Sequence, residues 1–277
     1  MHRKKKRINN KKNQRIKKFL LGITLLISCC IVLTLIATLK PEKEEYYTIK
    51  DRTKQIEKSK KKDTEDYKTI GWIRVQGTNI DTPVIGYSNN VAGVPVELGN
   101  YVWNLDPEEK YYNKINIMGH NIMNLSSQPE VGLDYFTRFD DLMSFVYYDF
   151  AKENQYIQYT VDGKNYLYKI FSVYFEPSHH IDSYPSGNYS EKKMAEYIKR
   201  YKEMSLYKYD IEVNKEDDII SLMTCTRFYG VEKYVTFMVN ARKVRENEVI
   251  NNYEVEQTKE YKEVKKILKG DELDEKA

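Results

Sequence analysis

Cys225 lies in ISLMTCTRFYG, at the end of an apolar run and just before a turn. A cysteine nucleophile needs a nearby base, and imidazole is the usual one. The chain offers His120, His179 and His180, besides His2 near the N-terminus. His120 follows KINIMG, a strand-like run closed by a glycine. Strand ends hold groups that are rigid yet accessible. His179 and His180 share a polar loop with Asp182, Ser183 and Pro185, where they are either plain surface or groove-lining. Cys225 with His120 implies covalent catalysis at a thiol. Polarity alone leaves a second reading of Cys225 open, that of a buried apolar residue.

Other chemistries find little support. No GxSxG elbow is present. One cysteine and scattered histidines do not make a four-ligand zinc site. Gly119 and Gly132 belong to no dinucleotide fingerprint. Carboxylates are numerous but show no arrangement typical of glycosidases. No loop of acidic ligands suggests calcium. No cofactor is expected. The 25 tyrosines suit a β-rich surface, and no basic groove accompanies them, so no nucleic-acid partner is expected.

The compartment is read from the other end of the chain. Residues 1–18 hold ten Lys or Arg and no acid, and residues 19–39, FLLGITLLISCCIVLTLIATL, carry no charge. Twenty-one residues at the helical rise span roughly 31 Å, the thickness of a hydrocarbon core. A basic flank before such a stretch predicts a helix with its N-terminus in the cytoplasm. The stretch lacks a clear small-x-small cleavage site, which argues for an anchor over a removed leader. The formal net charge of +4 is therefore owed to the basic tail, and residues 19–277 carry −6. Cys29 and Cys30 lie in the expected span as small apolar fillers, leaving Cys225 as the one thiol outside it.

The expected organisation is a basic cytoplasmic tail (1–18), a transmembrane anchor (19–39), a charged stalk (40–66), a folded domain (67–244) and a charged, solvated tail (245–277). Within the domain the apolar period is mostly two. TIGWIRVQG and TPVIGY are strands split by a turn, and KINIMG is a third. NQYIQYTVDG and KNYLYKIFSVYFEP form a hairpin on Asp162-Gly163. DDIISLMTC and YVTFMVNARKV are the last two strands. Two helices are predicted. PEVGLDYFTRFDDLMSFVYYDFAKE carries Leu133, Phe136, Phe139 and Leu142 at helical spacing, and SEKKMAEYIKRYKEMS carries Met194, Ile198 and Tyr201 after a Ser190 cap. Many strands and few helices point to a mostly β, closed or nearly closed barrel. Trp72 is assigned to the core or to a lid on that barrel.

The chain resembles the sortases, membrane-anchored cysteine transpeptidases of Gram-positive bacteria, and class B within them. The resemblance rests on Leu222-Met223-Thr224-Cys225, on Gly119-His120-Asn121, and on the opening GWIRVQGTNIDTPVIG. It covers about residues 67–244, and the long helix before the cysteine strand suggests class B. It implies an eight-stranded closed barrel with two or more helices. It also implies that Cys225 attacks a Thr carbonyl in a C-terminal sorting signal of a secreted protein, with His120 shuttling protons. An amine of a peptidoglycan precursor, or a pilin lysine, then resolves the thioester. A degenerate, non-catalytic peptide-binding domain is the alternative from another class. The family's arginine near the start of the last strand is absent, because Thr236 stands in its column. Arg242 lies six residues further, roughly 20 Å along an extended strand. Arg227 is therefore the expected catalytic substitute, with Lys233 a second candidate. Thr224, Asn121 and Tyr229 are candidate substrate-binding residues. Thr224 and Tyr229 also have packing alternatives.

Overall fold

A computed structural model describes residues 47–65, 67–87, 102–104, 112–133, 139–177 and 186–270. The chain divides into two compact units, Met1–Glu45 and Tyr46–Ala277. The first unit, with the expected basic tail and anchor, lies outside the described residues. No helix among the described residues is long and apolar enough to cross a membrane.

The seven β-period segments form strands as expected. In chain order the strands are β1 (Tyr67–Val75), β2 (Asp81–Tyr87), β3 (Val102–Asn104), β4 (Lys114–Gly119), β5 (Tyr156–Val161), β6 (Lys164–Glu176), β7 (Tyr207–Tyr209), β8 (Ile219–Thr226), β9 (Val235–Lys243) and β10 (Val255–Gln257). Three of them, the short β3, β7 and β10, were not expected. The barrel closes in the order β1-β2-β3-β4-β8-β9-β6-β5, while β7 and β10 pair separately. The expectation of eight strands needs correction in kind. Seven members run six to thirteen residues, and β3 is a three-residue stave that joins β2 to β4. The β5–β6 hairpin turns on Asp162 and Gly163, at φ 45° and 73°. Positive φ at both central residues matches the right-handed strand twist, and Asp-Gly tolerates it.

Alternation along β8 separates two faces. Ile220 and Leu222 join the barrel interior with Ile117, Phe237 and Val239. Ile219 and Met223 join an outer layer with Met118 and Met238. That layer is covered by a helix over Glu191–Met204, which buries Met194, Tyr197, Ile198 and Tyr201. Ser190 caps it as expected, accepting from the Lys193 N–H.

The other predicted helix is broken. Phe136 lies outside the described residues, and the rest forms a 3-10 helix, Asp140–Val146, and a short helix, Tyr148–Glu153. Tyr147 between them is extended, at φ −87° and ψ 127°. Asp140 and Asp141 are buried and spend their carboxylates on backbone N–H groups, including those of Ile122 and Asn79. Those bonds compete with a continuous α-helix.

The folded unit also extends past 67–244 at both ends. A helix over Thr53–Lys60 buries Ile56 within the expected stalk, and Arg52 pairs with Asp81. Asp81 also accepts from Trp72 Nε1 at 2.6 Å. Beyond 244, a helix over Lys259–Leu268 buries Tyr261, Val264 and Ile267, so this tail is part of the core and not solvated.

Candidate active site

Cys225 is the penultimate residue of β8, and β8 runs parallel to β4 with Met118 opposite Met223. Continuing that register by two residues sets His120 beside Cys225. By strand alternation both positions share the face of Met118 and Met223, which pack in the outer layer. Thr224 locks this arrangement, since its hydroxyl donates to the Gly119 carbonyl at 2.7 Å. A Cβ on Gly119 would lie 2.5 Å from the Phe139 ring, which explains the glycine before the histidine.

The loop after His120 is held by its own amides. Asn124 N–H donates to Asn121 Oδ1, and Asn121 Nδ2 donates to the Asn124 carbonyl, both at 3.0 Å. Asn124 Nδ2 donates to the Asp140 and Glu130 carbonyls. The Arg227 N–H then donates to the Leu125 carbonyl at 3.1 Å. The segment after His120 is thereby stitched to the segment after Cys225.

On its other side β8 pairs with β9, and Thr236 faces Cys225 directly. The column where an arginine was expected thus holds a buried threonine, whose hydroxyl has no hydrogen-bond partner among the described residues. Glu176 on β6 is the next residue across, opposite Thr236. It is tied to Arg200 of the covering helix by two bonds, at 2.8 and 2.9 Å. Arg242 is remote from the thiol by function as well as register, for it is buried on Glu248 and the Glu212 carbonyl.

Cys225 and Arg227 project from the same face, as do Thr236 and Tyr234 on the facing chain. Burial pushes the Cys225 thiol above its ordinary value, and a side-chain hydrogen bond with Tyr234 pulls it the other way. Arg227 is exposed and sets its guanidinium 5.7 Å from the centre of the Tyr234 ring. Lys233 is exposed in the turn, where its N–H donates to the Gly230 carbonyl.

The three expected substrate-binding residues lie near the strand ends in different settings. Thr224 is buried and holds strand register. Asn121 is buried and holds its own loop. Tyr229 is partly buried and packs edge-on to Phe175 and Phe228, as an aromatic wall below the turn. His179 and His180 lie outside the described residues. Sequence reading missed Tyr234, Asn124 and Asp140. Only the alternation Tyr234-x-Thr236, counted back from the arginine column, could have pointed to the first. Among the described residues no group of three or more His, Cys, Asp or Glu could hold a metal ion. A cavity of about 130 Å³ beside Tyr112, Asp218 and Lys243 lies at the start of β8, away from Cys225.

No family model and no curated protein matches this sequence. Solved structures do. Clostridium perfringens sortase B is 27% identical, with a TM-score of 0.53 over 68% of this chain and 100% of that one. A Staphylococcus aureus sortase B–substrate complex is 19% identical, with a TM-score of 0.52 over 69% and 85%. A sortase B complexed with triglycine is 18% identical, with a TM-score of 0.53 over 71% and 88%. The chain resembles the sortases, and class B among them.

Proposed function

We propose that this chain is a membrane-anchored cysteine transpeptidase of the sortase type, working outside the cell on C-terminal sorting signals of secreted surface proteins. The observation that carries this reading is the common outer face of Cys225 and His120 at adjacent parallel strand ends. The likeness to sortase B of Clostridium perfringens supports the class of chemistry. The uncharged stretch 19–39 and its basic flank support the anchor and the topology.

The Cys225 thiolate attacks the carbonyl carbon of the signal's threonine. As the C–N bond breaks, the His120 imidazolium gives a proton to the departing nitrogen. A thioester remains on Cys225. An acceptor amine then loses a proton to His120 and attacks the thioester. The C–S bond breaks and the sulfur leaves as thiolate. The acceptor we assign is a cell-wall amine, in keeping with the sortase B complexed with triglycine. A pilin lysine would follow the same steps. Anchoring enzyme and tethered substrate at one surface raises their encounter.

One observation favours a second reading, a peptide-binding domain without catalysis. Thr236 offers no cationic donor beside a thiol whose burial disfavours the thiolate. The two readings are separated by incubating the full chain with a panel of sorting-signal peptides and weighing it intact. A thioester adduct on Cys225, absent in Cys225→Ala and strongly reduced in His120→Ala, is expected. Peptide retained without an adduct would establish the binding domain.

A further inference from the structure

We propose that the Tyr234 hydroxyl is the donor this site uses in place of a guanidinium, first on the Cys225 sulfur and then on the substrate oxygen that becomes anionic. The inference rests on the transpeptidase reading above.

The argument begins with register. Cys225 pairs with Thr236 across the β8–β9 ladder, so Tyr234 is its diagonal neighbour on the same face. Diagonal positions are within reach of an aromatic side chain. The reach is used, because the Tyr234 and Cys225 side chains are hydrogen-bonded. Thr236, though nearer in register, is 4% exposed and its hydroxyl meets no partner among the described residues, the Cys225 sulfur included.

The ring is oriented from its other side. Arg227 comes opposite Tyr234 if the ladder is continued by one pair, and its guanidinium lies over the ring. Tyr234 is 41% exposed, which is unusual for a large aromatic kept for packing. It sits at the rim, where a peptide carbonyl would meet Cys225.

The chemistry follows from the proton. Burial first, and then the neighbouring thiolate, push the Tyr234 phenol up to about 12, so it keeps its proton through the neutral range. A neutral O–H beside the sulfur favours the thiolate over the thiol. When sulfur attacks, negative charge passes to the carbonyl oxygen on the same carbon, and the hydroxyl can follow it. No proton needs to leave Tyr234 in either step. An uncharged hydroxyl is a weaker donor than a five-donor guanidinium, so this site should be slower than one that carries arginine.

The test compares the full chain with Tyr234→Phe and with Tyr234→Phe combined with Thr236→Arg. Two quantities are read on each. One is the pH midpoint of Cys225 alkylation by iodoacetamide, followed on the Cys225 peptide so that Cys29 and Cys30 do not interfere. The other is the rate of acyl-enzyme formation. Tyr234→Phe should move the midpoint to higher pH and slow acylation about 10²-fold, the usual cost of one oxyanion donor. Arginine at 236 should restore much of the rate. A Tyr234→Phe protein with an unshifted midpoint overturns the inference. So does one that acylates at the wild-type rate. If the wild type forms no acyl-enzyme, the transpeptidase reading fails, while the alkylation profile still judges the Tyr234–thiol contact.

Discussion

Two opposing influences meet at the Cys225 sulfur. Burial favours the thiol, and the bond to Tyr234 favours the thiolate. Arg227 places its guanidinium over the face of the tyrosine ring. An exposed cation–ring contact contributes about 0.5–1 kcal/mol. Arg227→Ala should therefore lower kcat/KM only about two- to fivefold, far less than Tyr234→Phe. A steady-state comparison of both variants checks this. A larger loss with Arg227→Ala would make the guanidinium itself the donor. Cys225 and His120 stood out in the sequence because each closes an apolar run. Tyr234 did not, because it follows a turn, and nothing in a linear sequence shows which turn residue folds back onto the thiol.

At the level of elements, the site depends on two strand ends staying in step. The Thr224–Gly119 bond is the pin between β4 and β8. Thr224→Val keeps the shape and leaves the buried Gly119 carbonyl without its donor, at a cost of about 1–3 kcal/mol. It should lower the melting temperature and slow acyl transfer through a displaced His120. Alkylation of Cys225 by a small reagent should change little, since that reaction needs no histidine. Equal loss in both reactions would mean that Thr224 acts on the cysteine directly. The seven long barrel strands and the helix over Glu191–Met204 were readable from apolar period. The segment around Asp140 and Asp141 was not. Its apolar spacing is helical, but buried carboxylates accept from distant backbone N–H groups, and those partners exist only in the folded chain.

Across the molecule, the C-terminal segment is fastened to the barrel. Glu248 accepts from Arg242 at 2.5 and 2.6 Å and from Lys169 Nζ at 2.9 Å. The Arg242 guanidinium, and next the Arg245 N–H and Lys169, outweigh burial and hold the Glu248 carboxyl down at about 2 against an ordinary 4.5. A carboxylate depressed on folding stabilises above its unfolded value, and that stability is lost as pH falls toward the folded one. Stability should thus hold above pH 4.5 and decline toward pH 2. Glu248→Gln should cost about 2–3 kcal/mol at neutral pH, as charge-assisted bonds do. The difference from wild type should shrink near pH 2. Urea unfolding at both pH values measures it. A difference independent of pH would deny Glu248 its charge-dependent role.

The β-rich domain, the Asp162-Gly163 hairpin and the capped helix could be read from the chain before folding, because period, turn chemistry and residue type are local. Cys225 and His120 stood out as candidates on the same grounds, but their pairing and the missing arginine came from the resemblance to sortases. Folding was needed to learn that Thr236 faces the thiol with a hydroxyl unpartnered among the described residues, and that Tyr234 reaches the sulfur. It was needed also to learn that Asn121 and Thr224 hold the scaffold, and that the charged C-terminal segment packs through Tyr261, Val264 and Ile267. The reason is common to all of them. Each depends on which strands become neighbours and in what register, and pairing between residues far apart in the chain is set by the closure of the whole barrel.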